Sequence, residues 1–142
     1  MVSEKLAVVT GGSRGLGREL ALALASEGYD LLVCARGDKD LEAVRDEVVA
    51  LGQKCQVWQG DLRDAGPLGL VMTVSSTPVD VLINNAALAP VLKPLEELTS
   101  DDSQRTMELN LFIPYRLMQA AVRSMKPRGS GTIVNICSLS GR

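Results

Sequence analysis

The sequence predicts an α/β fold, a doubly wound parallel sheet with helices on both faces. Two observations carry that expectation. Short apolar runs of strand length alternate with segments whose apolar residues recur at helical spacing. A glycine-rich turn also stands between the first run and the first helix. Strands alternating with helices form right-handed crossover units, and these build a parallel sheet. The 142 residues give room for one such domain, read as residues 1–142.

The elements follow in order. Leu6 to Val9 is a short apolar run with Thr10 and two glycines behind it, which suits a buried first strand. From Gly15 to Gly28, Leu16, Leu20, Ala23 and Leu24 recur at helical spacing, and Gly28 can end the helix. Leu31 to Ala35 is a second strand. Leu41, Val44, Val48 and Leu51 then mark one face of a second helix, with Asp38 and Asp40 at its positive end and Gly52 beyond it. Cys55 to Gln59 and Val79 to Asn84 read as the third and fourth strands. Between Asp61 and Asp80 the crossover needs a helix, yet Gly66, Pro67 and Gly69 disfavour one, so a short or irregular helix is expected. A long helix follows, with Ser100 as N-cap, Asp101 and Asp102 in its first turn, and a stop near Met125 set by Arg123, Lys126, Pro127 and Gly129. Pro114 inside it removes a backbone donor and is expected to bend it. Thr132 to Cys137 is the fifth strand.

Composition excludes several chemistries. The chain has no histidine, so no Ser-His-Asp or Cys-His unit and no imidazole metal site can be built. No metal site is expected. Lys and Arg number 15 against 17 Asp and Glu, a balance that offers nucleic acid no basic face. Cys34, Cys55 and Cys137 are odd in number and hold no C-x-x-C pair, which fits free thiols in a reducing compartment. Met1-Val-Ser-Glu-Lys lacks the cationic start and apolar stretch of a signal peptide. No apolar run reaches the roughly 18 residues that span a bilayer. No membrane partner is expected, and the expected location is cytoplasmic.

The chemistry lies in the turn Thr10-Gly11-Gly12-Ser13-Arg14-Gly15-Leu16-Gly17. Glycines at 11, 15 and 17 permit a tight turn, close approach of backbone to a pyrophosphate, and close packing of helix on strand. The helix start then offers free N–H groups and partial positive charge to phosphates. The spacing is G-x-x-x-G-x-G rather than G-x-G-x-x-G. A plain strand-to-helix turn is the simpler reading, but its place between a strand and a helix favours a Rossmann-type nucleotide site.

Four further motifs stand in matching order. Asp61-Leu62 follows the third strand, Asn84-Asn85-Ala86-Ala87 follows the fourth, Asn110 sits on the long helix in Glu108-Leu-Asn-Leu, and Ser138 lies in Ile136-Cys-Ser-Leu-Ser-Gly141. With the glycine turn, this set resembles the short-chain dehydrogenases/reductases across essentially the whole chain. Alone, Asp61 would be a cap, the two asparagines turn residues, Asn110 a polar neighbour and Ser138 a strand-end serine. The resemblance implies an adenine contact for Asp61, cofactor contacts for Leu62, Asn84 and Ala86, an active-site role for Asn110 and a catalytic role for Ser138. Ala87 stands where the family has glycine, and Ser140 is an alternative to Ser138.

Charge bears on the cofactor. NAD-binding folds place an acid about 20 residues after the glycine turn, on the ribose 2′-OH. Here the second strand ends in Cys34-Ala35-Arg36, and an arginine fork suits a 2′-phosphate. Arg14 can add a second positive charge. NADP(H) is therefore favoured over NAD(H), the alternative being solvated arginines with Asp38 reaching back to a 2′-OH. Gly11, Ser13, Arg14, Gly15, Leu16, Gly17 and Arg36 join the candidate cofactor-binding residues.

The resemblance further implies a seven-stranded sheet and a Tyr-x-x-x-Lys pair about a dozen residues beyond the catalytic serine. These 142 residues supply five strands, in implied order 3-2-1-4-5, and stop before such a pair. Tyr29 and Tyr115 are followed four residues on by Val33 and Gln119. The domain thus reads as truncated relative to the family fold and incomplete at its C-terminal side. Two functions stay open: the cofactor-binding portion of an NADP-dependent oxidoreductase acting on a small carbonyl or alcohol, homo-oligomeric in a full-length form, or a non-catalytic NADP-binding module.

Overall fold

Apolar residues on both sides of a strand require cover on both sides, and that requirement organises the molecule. The computed structural model describes residues 5–63, 67–89 and 91–138. Its strands are β1 (Lys5–Thr10), β2 (Tyr29–Ala35), β3 (Cys55–Gln59), β4 (Val81–Asn84) and β5 (Thr132–Asn135). All neighbours run parallel, in the order β3-β2-β1-β4-β5 that the resemblance implies. Successive side chains alternate between two cores. Val8, Leu32 and Leu82 enter one with Leu70, Val74, Ile113 and Leu117. Ala7, Val9, Leu31, Val33, Val81 and Ile83 enter the other with Ala21, Ala25, Leu41, Val44 and Val48.

Two helices, α1 (Gly15–Ser26) and α2 (Asp38–Ala50), cover the second core. The other face takes α3 (Pro67–Ser76) and a long helix made of α4 (Ser100–Met107), a π-turn (Glu108–Phe112) and α5 (Ile113–Arg128). The outer strands β3 and β5 are only partly buried.

The structure corrects several boundaries. The crossover helix α3 is a regular ten-residue helix rather than a short or irregular one. Its proline occupies the first helical position, where a missing N–H costs nothing, and Gly66 lies outside the described residues. Burial of Leu70 and Val74 outweighs the propensity cost of Gly69, since each such side chain contributes roughly 2 kcal/mol against about 1 for the glycine. The cap of α4 is Thr99, not Ser100. Thr99 Oγ1 accepts the Asp102 N–H and an Asp102 carboxylate oxygen accepts the Thr99 N–H, each at 3.1 Å, closing a capping box. β4 begins at Val81 rather than Val79, because the Val79 N–H donates to Ser124 Oγ instead of to a strand. β5 ends at Asn135, with one further bond from the Ile136 N–H to Asn84 O.

The disturbance at Pro114 takes a specific form. With no N–H, Pro114 leaves the Asn110 carbonyl, four residues earlier, without its α-helical donor. The helix widens just ahead of it, so that the Ile113 N–H donates to Glu108 O, five residues back.

At the N-terminal edge of the sheet, one carboxylate fastens three elements. Asp80 Oδ2 accepts the Leu6 N–H at 2.8 Å, and Asp80 Oδ1 accepts from Arg128 Nη1 at 2.7 Å. The Asp80 backbone bonds to Leu6 O and to the Thr132 N–H. Replacing Asp80 by alanine leaves the Leu6 N–H and the Arg128 guanidinium without this acceptor. A stability loss of about 2 kcal/mol is expected in urea unfolding, with an unchanged m-value.

Candidate functional site

Parallel strands bring all their C-terminal ends to one edge, and the chain changes winding direction between β1 and β4. Open sheets bind ligands in the crevice at such a switch point. The connections there are built by a few hydrogen bonds. Thr10 Oγ1, at the end of β1, accepts the N–H groups of Asn85 and Ala86 at 2.9 and 3.0 Å and donates to Ile83 O at 3.4 Å. Asn85 Nδ2 donates to Thr10 O and Gly11 O, both at 3.1 Å. The turn after β1 is thus tied to the end of β4.

Glycine is required where the turn meets α1. Gly11 has φ +64°, and a Cβ on Gly17 would lie 2.2 Å from Gly11 O and 2.5 Å from Asn85 Nδ2. Arg14 caps α1 in extended conformation with no side-chain cap bond, and the first turn holds no acid. The first N–H groups of α1 therefore keep their partial positive charge for a ligand.

Beside this turn lies a cavity of about 570 Å³, within the range of small-molecule sites. Gly11, Ser13 and Arg14 form one wall, Arg36, Gly37 and Asp40 a second, Gly60 to Arg63 a third, and Ala86 to Leu88 a fourth. Of the expected residues, Gly11, Ser13, Arg14, Arg36, Asp61, Leu62 and Ala86 line it. Gly15, Leu16, Gly17 and Asn84 do not. Gly17 is buried under the turn, and Leu16 is exposed on α1. Asn84 is 5% exposed and donates from Nδ2 to Asn135 Oδ1 at 2.9 Å, bridging β4 and β5. Its Oδ1 is buried and has no hydrogen-bond partner among the described residues.

The lining is cationic, with Arg14, Arg36 and Arg63 against Asp40 and Asp61. Arg14 and Arg36 are exposed, and neither side chain makes a hydrogen bond or salt bridge among the described residues. Arg63 instead grips Asp61: Nε donates to Oδ1 at 2.9 Å, Nη2 to Oδ2 at 2.5 Å, and the Arg63 N–H to Oδ1 at 2.9 Å. These bonds, helped by the positive charges of Arg63 and Arg36, hold the Asp61 carboxyl down at about 2. Asp38 is not part of the lining, and its Oδ1 accepts the Lys39 N–H; Asp40 is the acid beside Arg36. Cys34 also lines the cavity, but burial pushes its thiol up to about 12, which leaves it no thiolate to react.

Asn110 and Ser138 stand apart from this lining. Asn110, in the π-turn, is clasped to Leu88: Oδ1 accepts the Leu88 N–H at 2.8 Å and Nδ2 donates to Leu88 O at 2.9 Å. It thereby fixes the loop after β4 against the long helix. Ser138 is exposed three residues beyond β5, at the same edge of the sheet. Ser140 lies outside the described residues. Tyr29 opens β2 at the opposite edge, beneath Lys5 Nζ at 5.4 Å, and the Tyr115 hydroxyl on α5 accepts from Gln119.

Sequence reasoning missed Thr10, the lock through Asn85, and Arg63. The signal for Arg63 was its place two residues after Asp61, close enough for one turn to pair them. Among the described residues, no helix is long and apolar enough to cross a membrane.

Comparison with known proteins follows the same lines. A family model described as short chain dehydrogenase matches residues 5–142. A short-chain dehydrogenase/reductase, FrzI of Cladobotryum sp, is 36% identical over 143 residues, covering 98% of this chain and 54% of FrzI. A metagenomic short-chain oxidoreductase solved in complex with NADP superposes with a TM-score of 0.90 at 33% identity, covering 99% of this chain and 64% of that one. A short-chain dehydrogenase from Sphingobium yanoikuyae in complex with NADPH gives 0.91 at 28% identity, covering 96% and 54%. The chain spans about half the length of the curated relatives it matches.

Because Asp61 titrates at about 2 when folded against an ordinary value of 3.8, its pair stabilises the fold fully above that ordinary value. The contribution fades as pH falls from the ordinary value toward the folded one. Acid titrations of unfolding free energy should therefore show a limb between these two values that Asp61→Asn removes.

Proposed function

The chain belongs to the short-chain dehydrogenase family, a family of oxidoreductases, and on that footing we propose that it holds NADP(H), in preference to NAD(H), for hydride exchange with a small carbonyl or alcohol. The observation that carries the cofactor reading is the cationic cavity against the glycine turn, with Arg36, just past the end of β2, in its lining. A phosphorylated ligand fits the residues present. Turn and helix start supply backbone N–H groups for a pyrophosphate, and Arg36 with Arg14 supplies guanidinium donors for a 2′-phosphate. Both neighbouring structures described above carry NADP or NADPH, which supports the same preference.

Within this reading, Gly11, Ser13 and Gly15 shape the phosphate turn, while Leu16 and Gly17 seat it on α1. Asp61 and Leu62 wall the adenine side, and Ala86 lies along the path from phosphates to nicotinamide. Asn84 serves from beneath, by bonding β4 to β5. When bound, the cofactor supplies or accepts the hydride. Ser138 would orient the substrate oxygen. Asn110 would keep a backbone carbonyl for water, because Pro114 donates nothing to it, while its side chain is spent on Leu88.

A second reading is a nucleotide-binding module without turnover. Tyr29 sits at the opposite edge of the sheet and Tyr115 is turned to Gln119, so neither of these two tyrosines lies in the cavity lining.

Titrating NADPH and NADH into the chain under matched conditions should give at least about ten-fold tighter binding of NADPH, a preference that Arg36→Ala largely removes. Tighter NADH binding would sink the cofactor assignment. A carbonyl-reduction assay on the same protein separates the two readings. Turnover lost about 100-fold in Ser138→Ala identifies an enzyme, whereas binding with no Ser138-dependent turnover identifies the module.

A further inference from the structure

We propose that the groove between α3 and α5 is a second small-molecule site, one that takes an amphipathic anion: a short apolar chain ending in a carboxylate. It shares no lining residue with the cavity at the glycine turn, so the proposal stands independently of the cofactor. The groove has a volume of about 390 Å³, within the range of small-molecule sites. Leu70 and Val74 of α3 share a core with Leu117 and Ala121 of α5, which sets the two helices side by side. The groove runs along the outer side of that seam. Val71, Met72 and Ser75 line it from α3, and Arg116, Ala120 and Arg123 from α5. Ala120 is 3% exposed and carries only a methyl group, so it gives the groove an apolar floor and leaves room above it.

Charge decides what the groove accepts. The α3 segment carries no charged residue, while α5 carries Arg116, Arg123, Lys126 and Arg128 and no acid. Arg128 is taken by Asp80, and Arg116 gives Nη1 to Glu108 Oε1 at 3.0 Å. Arg123 makes no hydrogen bond or ion pair among the described residues. A helix C-terminus would normally attract such a cation. At the end of α3, however, the Met72 and Thr73 carbonyls already accept from the Ser76 and Thr77 hydroxyls. Arg116 and Arg123 lie seven residues apart and therefore share one helix face, separated by about 10 Å along the axis. An unpaired guanidinium beside Val71, Met72 and Ala120 matches a carboxylate at one end of a ligand and hydrocarbon at the other. A neutral apolar molecule would leave Arg123 unanswered, and a bare inorganic anion would bury none of the apolar wall.

The test uses octanoate as the probe, titrated into the chain by amide NMR at low salt and without nucleotide. Butyrate, octanol and octylammonium serve as comparisons that remove the chain length, the charge or its sign. Saturable shifts should appear along Val71–Ser76 and Arg116–Arg123 and not at the glycine turn. Octanoate should bind about ten-fold tighter than each of the three comparisons. Added salt should weaken octanoate and leave octanol unchanged. Arg123→Gln, an exposed substitution, should weaken octanoate about five-fold without moving octanol. The proposal is overturned if octylammonium binds as octanoate does, since the groove would then select apolar surface alone. It is equally overturned if Arg123→Gln binds octanoate as the wild type does, or if octanoate produces no saturable shift along these two helices. Binding of NADPH or NADH enters none of these outcomes, so failure here leaves the nucleotide reading untouched.

Discussion

The Thr10 hydroxyl is the interaction on which the site depends. Thr10 is 2% exposed, and its one oxygen serves two N–H donors from the loop after β4 while giving its own proton to that strand. By accepting from both, the hydroxyl fixes where the chain leaves β4. Asn85 completes the lock by reaching back to the turn after β1, and that turn in turn leaves no space for a side chain at Gly17. A Thr or Ser before a glycine turn is unremarkable in itself. Here it couples two connections 75 residues apart in sequence and so gives the cavity two of its walls in fixed relation.

Most of the fold was legible in the sequence because its signals are local. The apolar runs at Val8, Leu32 and Leu82 mark strands buried on both faces, and the glycine turn marks the first helix start. Boundaries were less legible where two adjacent residues have similar chemistry. Thr99 and Ser100 can both cap, and only the Asp102 carboxylate three residues beyond Thr99 decides between them. The crossover over Pro67–Ser76 misled for a different reason. Helix propensity counts its glycine and proline, while tertiary burial of Leu70 and Val74 decides the outcome. At the site, the lining glycines and arginines could be named from motif spacing. The partner of Asn110 could not, because it is the Leu88 backbone, 22 residues away, which only the folded chain brings near.

The long helix shows how one residue reshapes a neighbour's role. Pro114 removes a donor, the helix opens a π-turn ahead of it, and Asn110 lies within that turn. Its amide then matches the backbone amide of Leu88, donor to carbonyl and carbonyl to donor. The segment after β4 is therefore fixed at both ends, by Thr10 near Asn85 and by Asn110 at Leu88. At the other edge of the sheet, Asp80 gathers Leu6, Thr132 and Arg128. The sheet is fastened at both edges by polar side chains, while between them backbone pairing and apolar packing on both faces hold the strands.

The scattering of the cavity walls has a kinetic consequence. Residues around positions 11, 36, 61 and 86 each belong to a different connection, and Leu109 to the long helix. Parallel pairings of this kind close slowly, because each strand waits for its whole crossover to form. No intermediate that lacks one crossover possesses the cavity. A ligand held there therefore recognises only the finished molecule. It can do nothing to hurry the chain toward that state, and acts instead as a brake on leaving it.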